Sequence, residues 1–209
     1  HPALDEGLDV LINNAGCNQF AWLEDQSSEQ VERQLLLNIE APIQLTRMLL
    51  PRLRKPAVIM NIGSSFGAIG YAGYSVYCAS KFALRGFSES LGRELEGTGI
   101  KVLHFAPRAT RTHLNSQAAY AMNAELGTRT DSPQDVAEEA VIALCNETRR
   151  SWLGWPEKLF VRLNALLPAL VDKALARQLP IIERHARHPV PLATDHGDNP
   201  ACATHEKEH

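Results

Sequence analysis

Apolar residues recur along the chain in two rhythms. Three short runs, each bounded by turn formers, read as buried parallel strands: Asp9-Val10-Leu11-Ile12 before Asn13-Asn14-Ala15-Gly16, Ala57-Val58-Ile59-Met60-Asn61-Ile62, and Ile100-Lys101-Val102-Leu103-His104-Phe105-Ala106. Between them the period lengthens. Val31, Leu35, Leu36, Ile39, Ile43, Leu45, Leu49 and Leu50 fall close to one helical stripe, opened by Ser27 with Gln30 as a capping box and closed by Pro51 and Pro56. A Gly/Ser/Tyr-rich loop runs from Gly63 to about Tyr74. A second helix spans Ser75 to Glu96, with Gly97 and Gly99 as stop signals. Residues 112–131 read as a polar, Ala-rich connection. Ser132-Pro133-Gln134-Asp135 caps a helix to about Cys145, and Trp152-Leu153-Gly154 reads as a last short strand. Residues 157–187 are amphipathic helix interrupted by Pro168. From His188 the apolar period stops, and 188–209 is expected to be a disordered tail.

Strands alternating with long helices predict an α/β, doubly wound parallel sheet. Such a sheet usually opens with a strand, a Gly-rich turn and a helix, and this chain has no such opening. Either the sheet is small or its first βαβ half is missing. The start at His1-Pro2 reads as a truncation. The 209 residues, 44% hydrophobic and 22% charged, suit one domain with a tail. A net charge of −3 gives no global reason to expect nucleic acid, and no apolar run reaches membrane-spanning length. Cys17, Cys78, Cys145 and Cys202 form no CxxC pair and are expected as reduced thiols of a cytoplasmic protein. The eight histidines form no metal-ligand pattern, so no metal site is expected.

The candidate chemistry centres on Tyr77-Cys78-Ala79-Ser80-Lys81. Positions i and i+4 share a helix face, so phenol and ammonium point the same way. A lysine beside a tyrosine favours the phenolate, which suits an acid/base for a carbonyl/alcohol pair. Ser64 follows the second strand, thirteen residues before Tyr77, and a hydroxyl there can hold a substrate oxygen. Ser65 is the neighbouring alternative, and either serine also suits a turn. Asn38 interrupts the first helix with Pro42 four residues on. Proline cannot donate to the Asn38 carbonyl, so this is either a water site near Lys81 or a simple kink.

In this order and spacing the residues resemble the short-chain dehydrogenase/reductase family over residues 8 to about 112, and the resemblance favours the missing-half alternative. The Asn-Asn-Ala-Gly loop is Asn13 to Gly16, the helix asparagine is Asn38, and the strand-end serine and YxxxK motif are Ser64, Tyr77 and Lys81. The segment after the third strand is Pro107 to Thr112. The resemblance implies a Rossmann-like sheet and a nicotinamide cofactor, NAD or NADP. Tyr77 would act as proton donor or acceptor, Ser64 would hold the substrate oxygen, Lys81 would support the tyrosinate and the nicotinamide ribose, and Asn38 would hold a relay water. Asn13, Ala15, Gly16, Pro107, Arg108, Thr110 and Thr112 would border the cofactor. Two departures stand out. The Gly-rich turn that wraps the pyrophosphate is absent, together with the residue that selects between NAD and NADP, so NADP is only slightly favoured and the chain alone should bind either weakly. Arg108 replaces the usual glycine. It and Arg111 either approach phosphate or face solvent, with solvent slightly favoured.

These features divide the chain into residues 1–148 as the dinucleotide-binding catalytic part, 149–187 as an amphipathic cover and 188–209 as the tail. From Arg149 to Arg187 eight Arg/Lys stand against three acids among Trp, Phe and Leu residues. The segment reads first as a lid on the core, second as a peripheral membrane contact. Phe82, Ala83, Phe87 and Leu91 spread over several faces of the second helix, which points to a second partner beyond the sheet. The resemblance implies that this partner is a second copy, in a homodimer or tetramer, the alternative being a monomer in which 157–187 covers that surface. The expected function is interconversion of a bulky apolar ketone and a secondary alcohol. The alternatives are a non-catalytic fragment serving in dimerisation or at a membrane, and an epimerase or dehydratase.

Overall fold

The computed structural model describes residues 6–155 and 157–187; the expected tail, 188–209, lies outside them. Four parallel strands lie in the order β1-β2-β3-β4: β1 Leu8–Asn13, β2 Leu53–Ile62, β3 Ile100–Ala106 and β4 Arg150–Trp152. The helices are α1 Ser28–Leu35, α2 Ala41–Leu49, α3 Ser75–Glu94, α4 Gln117–Glu125, α5 Pro133–Cys145, α6 Glu157–Leu166, α7 Pro168–Ala176 and α8 Leu179–Arg187.

Strand register explains the core. Leu11, Ile59 and Val102 stand in one row across β1, β2 and β3, and they pack with Leu91 of α3. The next row, Ile12, Met60 and Leu103, faces the other way, where Met60 and Leu103 meet Ala143 of α5. Fully burying one such side chain contributes roughly 1.5–3 kcal/mol. That second row fails at β1. Met60 and Leu103 are 1% and 0% exposed, yet Ile12 is 49% exposed and Val10 40%. The helices thus cover both faces of β2 and β3 but leave one face of β1 open.

Four expectations are corrected. The first long helix is two helices joined by a π-helical turn at Leu36–Glu40, because Pro42 cannot donate the hydrogen bond that would continue the α-helix through Asn38. Pro56 does not close that helix. It lies inside β2, where the β1–β2 register slips between Leu8↔Leu53 and Val10↔Val58, and the irregularity removes the need for its missing N–H. The connection 112–131 contains α4, whose N-cap Ser116 accepts from the Ala119 amide and which buries Ala119 and Met122. Its small residues gave too little apolar contrast to show a stripe. Residues 157–187 form three helices, not two. The capping box at Ser27 and the Ser132 cap are present as expected.

Candidate active site

The carboxyl ends of β1, β2 and β3 and the start of α3 build a cleft of about 1110 Å³. The chain turns at Gly63 and sets Ser64 on the lip in extended conformation, its Oγ accepting from the Phe66 amide at 3.2 Å. α3 begins at Ser75, so Tyr77 and Lys81 come one turn apart on the same face. They are 8% and 5% exposed. Ser64 lies close enough to the Tyr77 phenol to favour its charged form. Lys81 Nζ donates to the Ile62 carbonyl at 3.0 Å and stands 5.8 Å from the centre of the Tyr77 ring. Gly67 lets the serine loop seat against α3, since a Cβ there would lie 2.8 Å from the Lys81 carbonyl oxygen.

Burial governs the electrostatics of this pair. Desolvation pushes the Tyr77 phenol up to about 12, with the nearby Ser64 acting in the opposite direction. Desolvation also brings Lys81 down to about 8. The expectation that the lysine would lower the phenol is therefore outweighed. Both groups have left water, and the ammonium is directed at a backbone carbonyl. At neutral pH the phenol holds its proton and Lys81 is charged.

Asn38 sits behind the pair and is 1% exposed. Its Oδ1 accepts from the Cys17 amide at 2.9 Å, and its Nδ2 donates to the Cys17 carbonyl at 2.8 Å and to Ser80 Oγ at 3.0 Å. Ser80 Oγ in turn donates to the Tyr77 carbonyl at 2.7 Å. The asparagine side chain thus ties the loop after β1 to the first turn of α3. Gly16 is the point of closest approach, because a Cβ on it would lie 3.1 Å from Asn38 Oδ1 and 3.6 Å from Lys81 Nζ. Asn13 has a different place from its neighbours. Its Nδ2 donates to Asn61 Oδ1 at 2.7 Å and to Thr46 Oγ1 at 3.1 Å, and Asn61 continues to Ser88 of α3 at 2.8 Å. Asn14, Ala15 and Gly16 line the cleft; Asn13 is used inside the sheet.

Pro107, Arg108, Thr110 and Thr112 line the opposite side. Arg108 makes a bidentate pair with Asp131, Nε at 2.9 Å and Nη2 at 2.6 Å, with side chains 15% and 16% exposed. Arg111 donates to the Thr130 carbonyl at 2.9 Å. Across the mouth, Asn18 Nδ2 donates to Asn115 Oδ1 at 3.3 Å, and Asn115 Nδ2 donates to the Thr110 carbonyl at 3.0 Å. The sequence offered no signal for Asn18, Asn115 or Ser80, since single polar residues in loops and helix starts carry no spacing.

The far wall is apolar. Ile182 of α8 is 1% exposed and packs with Phe20, Tyr74, Tyr77, Ala119 and Met122. Tyr71 donates to Gln178 Oε1 at 2.8 Å, and Asn164 of α6 donates to the Ala68 carbonyl at 2.9 Å. The C-terminal segment therefore lies over the start of α3. Among the described residues, no group of three or more His, Cys, Asp or Glu could hold a metal ion.

Comparison with known proteins places this geometry. The profile of the family described as short chain dehydrogenase matches residues 3–123. Oxidoreductase claN of Passalora fulva is 43% identical over 117 residues, 54% of each chain. Dehydrogenase/reductase SDR family member 7B of Bos taurus is 31% identical over 190 residues, 87% of this chain and 58% of that protein. A short chain dehydrogenase from Burkholderia cenocepacia J2315, solved in complex with NADP, superposes with a TM-score of 0.64 at 27% identity, covering 75% of this chain and 71% of that one. The chain spans about half the length of the curated relatives it matches.

Proposed function

Since the chain belongs to the short-chain dehydrogenase family, we propose that it supplies the catalytic part of a nicotinamide-dependent oxidoreductase that interconverts a ketone and a secondary alcohol. The observation that carries the proposal is the buried Tyr77–Lys81 pair with Ser64 beside it, facing a large cleft at the strand ends. The residues present fit the nicotinamide end of a dinucleotide. Lys81 offers a cation at the cleft floor, Ala15 and Gly16 present backbone without bulk, and Thr110 and Thr112 offer hydroxyls on the facing wall. When bound, the nicotinamide supplies or accepts the hydride.

The protein's own part is proton transfer and orientation. The Tyr77 hydroxyl, protonated at neutral pH, donates to the carbonyl oxygen during reduction and takes the proton back during oxidation. Ser64 holds the same oxygen. The Lys81 ammonium offsets the charge that develops on the phenol oxygen, an effect strengthened by low exposure. Asn38 keeps Gly16 and the α3 start in register, and its carbonyl, which Pro42 cannot engage, is the place for a relay water. The Phe66, Tyr74 and Met122 wall supports a bulky apolar substrate.

NADP is the favoured cofactor, and further strands pairing with the edge of β1 would complete the grip on it. Arg108, bound to Asp131, positions the loop that meets the cofactor. Exposed Leu36 in the π-helical turn, Met48 on α2 and Phe82 on α3 support a homodimer or tetramer. The test is consumption of NADPH and NADH by the whole protein with a panel of alicyclic and aromatic ketones. Ketone-dependent oxidation of either cofactor is expected; a folded whole protein that oxidises neither with any ketone overturns the proposal.

A further inference from the structure

The eight cations of the C-terminal cover divide into two sets. Arg149, Arg150, Arg184 and Arg187 pair with Glu96, Glu89, Glu125 and Glu24, and so hold the segment against the body. Lys158, Arg162, Lys173 and Arg177 are exposed and enter no ion pair with a described residue. All four belong to α6, α7 and the residue that ends α7.

The apolar residues sort the same way. Val171 is 2% exposed and faces inward, while Leu159, Leu166, Leu167 and Leu170 are 50%, 78%, 55% and 54% exposed, and Trp155, just before α6, is 68% exposed. Lys158, Arg162 and Leu166 are spaced i, i+4, i+8, which puts them on one face of α6. Leu170, Lys173 and Arg177 are spaced i, i+3, i+7 on one face of α7. Each helix therefore presents cations and large aliphatic side chains outward together. A solvated face would not need the leucines, and a face meant for a protein core would not carry cations that find no acidic partner among the described residues.

We propose that α6 and α7 dock the protein peripherally on an anionic lipid surface. The leucines and Trp155 enter the boundary between headgroups and acyl chains, and Lys158, Arg162, Lys173 and Arg177 meet lipid phosphates and carboxylates. Charge complementarity selects this occupant over a second copy of the chain, since two copies would bring the same four cations together. No described helix is long and apolar enough to cross a membrane, so contact is with one leaflet surface. The docked segment also lines up with the site, because α8 continues from α7 into the apolar wall around Tyr77. The inference stands apart from the oxidoreductase proposal, as binding is measured without turnover.

The experiment is flotation of the chain with phosphatidylcholine vesicles, with and without phosphatidylserine, at low and high salt. Binding to the serine-containing vesicles, weakened by salt, is expected. Lys158→Glu/Arg162→Glu/Lys173→Glu should lower the partition coefficient at least about a hundredfold, given about fivefold for each cation removed. Leu166→Ser/Leu170→Ser should weaken it at unchanged charge, and Arg47→Glu on α2 should not matter. All these sites are exposed, and circular dichroism checks that the variants fold. No vesicle binding, equal binding to both vesicle types, or unchanged binding by the charge-reversed variant overturns the proposal. So does a sedimentation result in which the leucine variant only breaks a dimer.

Discussion

Asn38→Ala perturbs the one side chain that holds the loop after β1, the α1–α2 turn and the first turn of α3 together. It removes three hydrogen bonds at 2.8–3.0 Å from a position 1% exposed. The Ser80 hydroxyl keeps its bond to the Tyr77 carbonyl, so most of the loss falls on the Cys17 amide and carbonyl. A buried polar group left without a partner costs about 1–3 kcal/mol, and there are two such groups. The expected destabilisation is about 2–6 kcal/mol, a large share of ordinary domain stability. For a chain of this size that lowers the melting temperature by roughly 2–4 °C per kcal/mol. The assay is urea unfolding followed by circular dichroism, with the midpoint falling at constant slope. A loss below about 1 kcal/mol would mean that the Cys17 backbone finds other partners and that Asn38 does not organise the site.

Lys81→Met should flatten one limb of the pH–stability curve. The folded value of about 8 lies below the usual 10.5, so the unfolded chain binds more protons between them and wild-type stability rises as pH climbs through that window; a wild-type-minus-variant difference that is flat from pH 8 to 10 contradicts the burial. His104 is held down to about 4, chiefly by desolvation, so its share of stability is present above pH 6.5 and is lost as pH falls toward 4. That share is about 3 kcal/mol, and His104→Leu should remove it, seen as a shallower acid limb in urea midpoints. Calorimetric titration of the 209-residue chain with NADH and NADPH should give weak or no binding, because the described residues offer no Gly-rich helix start for the pyrophosphate; micromolar affinity would show that such a turn is dispensable.

The sheet and the positions of the proposed catalytic residues were readable because each left a local mark. Continuous apolar runs marked β1, β2 and β3, and the motif spacings placed Ser64, Tyr77 and Lys81 before any contact was known. The Asn38–Pro42 spacing correctly located the helix interruption. Its side-chain role was not readable, because Cys17 and Ser80 lie twenty-one and forty-two residues away. Asn13 illustrates the same limit, since nothing local distinguishes a strand-end amide bonded to Asn61 from one that borders a ligand. α4 escaped because its burial depends on α8, a distant partner. The direction of the Tyr77 shift also depended on tertiary burial: the motif showed the nearby ammonium but not the depth at which both groups sit.

The most direct test of the central claim is turnover of a responsive ketone by the whole protein with Tyr77→Phe, measured beside Ser64→Ala. Phenylalanine keeps the ring in its packing with Phe66 and Tyr74 and removes only the hydroxyl. If Tyr77 is the proton donor, kcat/KM falls by about 10²–10⁴-fold while cofactor affinity and melting temperature stay near wild type. A Tyr77→Phe protein that turns over within a few-fold of wild type would contradict the account.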